Sequence, residues 1–248
     1  MAANQKARVV KTELWHGDVC HVICEMIEPR ELGFVGGQYV IINSGRLQPN
    51  GKLGKRAYSI ASSDVSQDHF EIVVKRIPLG VGSGFIHELQ EGDTFEFSGP
   101  WGKYKPAENM SGERVLVIAT DTGITAALGL LRAQALKSCL AESLLIWLLS
   151  SETYFIPDKI IRQWLPPQLE ARFPVLIPPV NEEVRNEAAR YKMDDFIKDR
   201  HFTKIYLSGD GYVLRELKDL FLKKGYAEPL IFTESFFHHE SLKSPSLK

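Results

Sequence analysis

The sequence predicts a small antiparallel β-barrel (or sandwich) followed by an α/β unit with a parallel sheet. Its first hundred residues fall into short β-rich runs separated by Gly, Pro and Asn turns, with one helical stretch among them. After Pro106 strands and helices alternate, which calls for a parallel sheet with helices on its faces. Between these regimes, Pro, Asn, Ser and Gly cluster over 105–112. The division expected is a first domain at 6–108, a second at 112–237 and a polar tail at 238–248.

In the first part, strands are predicted at 8–15, 19–26, 38–43, 57–61, 70–76 and 94–97, with a helix at 85–90. The run Val19-Cys20-His21-Val22-Ile23-Cys24 alternates, so Cys20 and Cys24 share a face and read as small apolar residues. In the second part, strands are predicted at 113–119, 143–149, 173–177, 204–208 and 230–233. Helices are predicted at 125–139, 158–165, 212–223 and, more weakly, 194–200.

Lys and Arg number 30 against 31 Asp and Glu, a formal net charge of −1, which argues against a nucleic-acid-binding protein. The three cysteines have no metal-ligand or plant-type iron–sulfur spacing, so no metal site is expected. The N-terminus lacks the apolar core of a leader, and no apolar stretch is long enough to span a bilayer. The nearest, 140–149, contains Glu142 and reads as a buried strand. A cytoplasmic location is the expectation.

Chemistry concentrates in a few motifs. Arg56-Ala57-Tyr58-Ser59 puts a cation and an aromatic ring on one face of a strand, a pairing suited to a flat aromatic cofactor carrying phosphates. An exposed Arg beside a half-buried Tyr is the plain alternative. Gly80-Val81-Gly82-Ser83-Gly84 opens a helix with a backbone free to approach an anion, or is a flexible loop capped by Ser83. Val115-Leu116-Val117-Ile118-Ala119-Thr120-Asp121-Thr122-Gly123 is a buried strand running into a turn and a helix, where free N–H groups and the helix dipole favour a pyrophosphate. The alternative is an ordinary turn capped by Thr122 or Thr125. Tyr206-Leu207-Ser208-Gly209-Asp210-Gly211 repeats that strand-to-loop step.

In their order and spacing these pieces resemble the ferredoxin–NADP reductase family, flavin reductases with an FAD-binding barrel and a Rossmann-like pyridine-nucleotide domain. The resemblance runs from about Arg8 to Phe237. Gly36-Gly37-Gln38-Tyr39 is similar to the family's P-G-Q-Y/F, with Gly36 where Pro is usual. Arg56-Ala57-Tyr58-Ser59 matches R-x-Y-S, Gly80-Val81-Gly82-Ser83 matches G-x-x-S, and Gly99-Pro100-Trp101-Gly102 matches G-P-x-G. The resemblance implies that Tyr58 stacks on the isoalloxazine and Arg56 holds flavin phosphate. It places Ser59 near flavin N5, Gly82 and Ser83 on the diphosphate, and Val74 in the FAD site. Hydride would pass from NADPH or NADH to the flavin, and electrons onward to ferredoxin, flavodoxin, an oxygenase component or a small-molecule acceptor.

The second half departs from the pattern. Asp121-Thr122-Gly123-Ile124 stands where G-T-G-I is usual, placing a carboxylate near the expected pyrophosphate, where it would repel unless turned away or paired. Ser208 stands where a Cys usually meets the nicotinamide and keeps a hydrogen-bond donor there. Thr122, Gly123 and Gly209 are the implied nucleotide-binding residues. Thr233-Glu234-Ser235-Phe236 resembles the closing E-x-aromatic element, implying Glu234 as a proton or positioning group and Phe236 as a cover over the flavin. Ser59, Ser208 and Glu234 are thus the expected catalytic residues. Glu152 favours NADH, whereas Arg162 and Arg185 would reverse that if they fold nearby. Arg46, Lys52 and Lys55 suit an acidic carrier or are a solvated loop. A different class stays open: a flavoprotein subunit that keeps FAD and no longer oxidises the nucleotide.

Overall fold

A computed structural model describes residues 5–151, 155–177 and 182–237. Glu152 and the tail 238–248 lie outside the described residues. The first sheet is antiparallel and contains β1 (Gln5–Trp15), β2 (Val19–Glu28), β3 (Tyr39–Leu47), β4 (Leu53–Ser59), β5 (His69–Lys75) and β6 (Thr94–Trp101), in the order β4-β3-β6-β1-β2-β5. Just beyond β4, the Ala61 N–H donates to the Glu71 carbonyl at 2.8 Å, drawing the two edge strands together. The enclosed core holds Phe70, Ile72, Phe97 and Ile60. Cys20 and Cys24 are buried in it as alternation required, and burial pushes the Cys20 thiol up to about 11, so both stay inert thiols. One helix, α1 (Val81–Glu88), packs on this sheet and begins four residues earlier than periodicity suggested.

The second sheet is parallel, with β7 (Val115–Thr120), β8 (Leu144–Leu149), β9 (Glu170–Leu176), β10 (Lys204–Asp210) and β11 (Ile231–Phe237) in the order β11-β10-β7-β8-β9. Alternate residues feed two cores, one on each face. Val115, Val117, Leu145, Trp147 and Tyr206 face α2 (Ile124–Leu131), α3 (Asp158–Trp164) and the barrel. Leu116, Ile118, Ile146 and Leu207 face α4 (Glu182–Ile197) and α5 (Gly211–Lys223).

Two helices differ from expectation. The predicted helix at 125–139 stops at Leu131, because Arg132 is drawn to the barrel. Its guanidinium donates to the Ala61 carbonyl at 2.9 Å, and its own carbonyl accepts from the Ser63 hydroxyl at 2.9 Å. The helix expected at 194–200 is instead the longer α4. It buries only a narrow stripe, Ala189, Met193 and Ile197, so its polar remainder hid the period.

Trp15, Val19, Ala61, Val73 and Tyr104 of the first half share one core with Leu128 and Leu131 of α2. The backbones touch there: a Cβ on Gly36 would run into the Gly129 carbonyl, and one on Gly129 into the Ile60 carbonyl. That contact explains glycine where the resemblance suggests proline. Beside it, His21 meets Glu71 at 3.0 Å, Arg132 lies 3.9 Å from the same carboxylate, and the His21 ring stacks on Trp15 and abuts Trp164.

Candidate functional site

On the barrel side, the pleat of β4 turns Gly54, Arg56 and Tyr58 to one face, where Tyr58 pairs with Val40 and Arg56 with Ile42. The first turn of α1 backs onto that face. A Cβ on Gly82 would lie 2.6 Å from Arg56 Cγ and 2.9 Å from the Tyr58 hydroxyl, so only glycine fits. The Tyr58 hydroxyl is buried with no hydrogen-bond partner among the described residues. Burial pushes its phenol up to about 12 against the pull of Arg56, so it remains a donor. The Arg56 guanidinium is exposed, steadied by the Lys55 carbonyl at 2.8 Å and Gln48 Oε1 at 3.0 Å.

The α1 N-terminus carries no side-chain cap. Ser83 is neither a cap nor a free donor: its hydroxyl accepts from the Ile77 N–H at 3.0 Å and donates to the Gly80 carbonyl at 3.2 Å, locking the loop. Val74 differs more from expectation. Its side chain is spent on the barrel core, and its carbonyl meets His87 Nε2 at 3.1 Å. Ser59 is buried on the face of β4 opposite to Tyr58, paired with Tyr39.

At the seam between the sheets, Ser208 and Glu234 are lateral neighbours on β10 and β11. Glu234 Oε2 comes within 3.7 Å of where a Cβ on Gly102 would stand, and its charge, after burial, raises the Tyr39 phenol. Burial likewise holds the Glu234 carboxyl above the usual carboxylate range. Phe236 is half-buried against the shared core. Ser208 differs from the expected free donor: it is fully buried, donates to the Gly123 carbonyl at 3.0 Å, and accepts from the Tyr104 hydroxyl at 3.3 Å. Tyr104, itself fully buried, is a site residue that the motif reading missed. Its only sequence signal is its position two residues after Gly102.

The two nucleotide-side loops lie backbone against backbone. A Cβ on Gly123 would strike the Ser208 carbonyl, and one on Gly209, at φ +125°, would strike Thr120. The loops differ at their helix starts. Asp210 caps α5 by accepting from Tyr212 N at 2.9 Å and Val213 N at 3.4 Å, whereas α2 has no side-chain cap. Thr125 does not cap it, because its hydroxyl donates to the Thr122 carbonyl. Asp121, at φ +45°, turns its carboxylate away from α2 and accepts from the Ser150 N–H at 2.9 Å and the Ser150 hydroxyl at 2.8 Å.

An unpartnered buried hydroxyl, an exposed guanidinium and an uncapped helix start therefore converge around Gly82. That donor set fits the phosphate-bearing half of FAD.

Comparison with known proteins agrees. The oxidoreductase FAD-binding domain family matches residues 6–105. Ferredoxin–NADP reductase B of Sorangium cellulosum is 32% identical over 144 residues, 58% of this chain and 56% of that protein. NADH-cytochrome b5 reductase 2 of Yarrowia lipolytica is 44% identical over 77 residues, 31% of this chain and 26% of that protein. These matches thus span from about a quarter to just over half of those relatives. A ferredoxin NADP+ reductase from Neisseria gonorrhoeae, solved with FAD and NADP, shares the fold at TM-score 0.74 and 17% identity, covering 96% of this chain and 100% of that one. With a match to the oxidoreductase FAD-binding domain at 6–105 and a parallel sheet behind it, the chain is similar to the ferredoxin–NADP reductase-like flavin reductases.

Proposed function

We propose that the chain is an FAD-dependent reductase that takes hydride from NADH or NADPH and passes electrons to a separate acceptor. The acceptor class is a ferredoxin, a flavodoxin, an oxygenase component or a small molecule. One observation carries the reading: Arg56, Tyr58 and the open start of α1 converge where glycine alone leaves room. The names of the relatives, which include a phenol 2-monooxygenase reductase component, support it.

Bound FAD supplies a group that takes two electrons and releases them singly. Arg56 neutralises flavin phosphate, and the α1 N–H groups receive the diphosphate. The Tyr58 hydroxyl would donate to a phosphate or ribityl oxygen of bound FAD. Gly123 and Gly209 keep the loops in contact, so that a pyrophosphate rests on the uncapped α2. Glu234, its carboxyl raised by burial, stands beside Gly102 as the group able to give or take a proton there, and Phe236 covers the seam against water. Ser59 is buried on the face of β4 opposite to Tyr58, so a role at flavin N5 rests on the resemblance alone. Ser208 serves by position, fixing the two loops and Tyr104 in one arrangement. Lys52 and Lys55 offer an acidic carrier a cationic edge.

A second reading has its own observation. With its proton on Gly123 and no exposed surface, Ser208 offers a nicotinamide nothing, which suits a flavin-holding subunit that does not oxidise the nucleotide. Anaerobic titration of the FAD-loaded protein separates the two. Bleaching of the flavin absorbance by NADH or NADPH is expected, and a protein that holds FAD yet bleaches with neither overturns the reductase reading.

A further inference from the structure

The strand order of the parallel sheet reverses between β7 and β10, where the 120–124 and 208–211 loops meet. Open parallel sheets take ligands at such a switch point, outside the carboxyl ends of the strands. On one side, β11 puts Glu234 against Tyr39 and Gly102 of the barrel. On the other side lies β8, which runs out into Ser150. A dinucleotide laid across the switch point with its nicotinamide towards the barrel therefore carries its adenosine ribose over the end of β8.

Asp121 governs that position. Oδ1 takes both donors of Ser150, its backbone N–H and its hydroxyl, and the Trp147 indole N–H holds the Asp121 carbonyl at 2.9 Å. The carboxylate is thus fixed, and Oδ2 accepts from no described residue. Two arginines able to offset its charge are committed elsewhere: Arg162 to Asp158 at 2.9 Å and to the Phe173 ring, and Arg185 to Asp210 at 3.1 Å.

We propose that Asp121 determines nucleotide choice: Oδ2 accepts a ribose hydroxyl of NADH, and the same charge, together with the occupied Ser150 donors, rejects the 2′-phosphate of NADPH. The proposal rests on the reductase reading and adds the preferred donor to it. It also gives the departure from glycine at 121 a use. Asp is among the few residues that tolerate this backbone conformation, and Asn tolerates it equally while keeping an acceptor for Ser150.

The test is calorimetric titration of the FAD-loaded protein with ADP-ribose and with 2′-phospho-ADP-ribose, so that binding is read without turnover. The unphosphorylated ligand is expected to bind about tenfold or more tightly. Asp121→Asn is expected to narrow that ratio to about threefold or less, mainly by tighter binding of the phosphorylated ligand, and Asp121→Gly is expected to do the same. An unchanged ratio in both variants, or a wild-type preference for the phosphorylated ligand, overturns the proposal. If the ratios behave as stated but the flavin bleaches with neither nucleotide, the reductase reading falls and the role of Asp121 in recognition stands. Failure of both ligands to bind overturns the proposal.

Discussion

The barrel edge and the parallel-sheet edge face each other across the seam, yet they are built on opposite principles. At the barrel edge, polar groups are left with unmet capacity: a buried tyrosine hydroxyl without a partner and a helix start without a cap. At the parallel-sheet edge the start of α2 is uncapped too, but most polar side chains there satisfy one another. Asp121 holds Ser150, Ser208 links Tyr104 to Gly123, and Thr120 accepts from the Asp210 N–H at 2.7 Å. A ligand reaching the first edge gains hydrogen bonds at little cost, whereas one reaching the second must compete with bonds already made. The contrast suits a cofactor held permanently on one side and a nucleotide that comes and goes on the other.

The largest expected effect is on the barrel side. Gly82→Val places side-chain atoms inside the space shared by Arg56 and Tyr58 and should weaken flavin retention by about a hundredfold or more, with the circular dichroism spectrum kept. Retention of flavin through gel filtration would break the comparison at its root. Tyr58→Phe sharpens it through effects of opposite sign. Removing a buried unpaired hydroxyl should leave the flavin-free protein as stable or about 1 kcal/mol more stable, while flavin affinity falls about tenfold. Denaturant unfolding and flavin fluorescence titration read the two arms, and unchanged affinity would remove the tyrosine hydroxyl from the site.

On the other edge, Tyr104→Phe should cost about 1 kcal/mol of stability and leave flavin affinity unchanged, because the bond it breaks belongs to the self-satisfied side. The smallest effect concerns the clamp between the halves. Burial disfavours the Glu71 carboxylate, but the His21 hydrogen bond and the Arg132 charge outweigh it and hold the group below its ordinary value of 4.5. The stability this gives is complete above that value and is lost as pH falls through the lowered one. Acid unfolding curves should therefore flatten in that window for Glu71→Gln, and a wild-type slope in the variant would exclude the clamp.

Much of this is legible in the sequence alone. Strand alternation alone puts Arg56 with Tyr58 and Cys20 with Cys24, because period-two geometry is local. The parallel sheet followed from the rhythm of elements after Pro106. What escaped depends on distant partners. Ser208 looks like a free hydroxyl until Tyr104, 104 positions away, closes over it. Val74 lies in a strand bordering the site, yet its pleat turns it into the core. Asp121 reads as a charge facing a pyrophosphate, and only the register of β7 beside β8 brings Ser150 near enough to turn it aside. Helix α2 ends early for a cation that belongs to the barrel rim.

The paired glycines Gly36 and Gly129 also bear on how such chains recombine. Each half presents bare backbone to the other, so neither carries the whole of the joint. A chimera cut within residues 105–112 would splice cleanly in sequence and still clash in space unless both parents supply glycine on their own side of the seam. The two halves look like interchangeable cassettes, but their exchange is licensed by a pair of residues 93 positions apart.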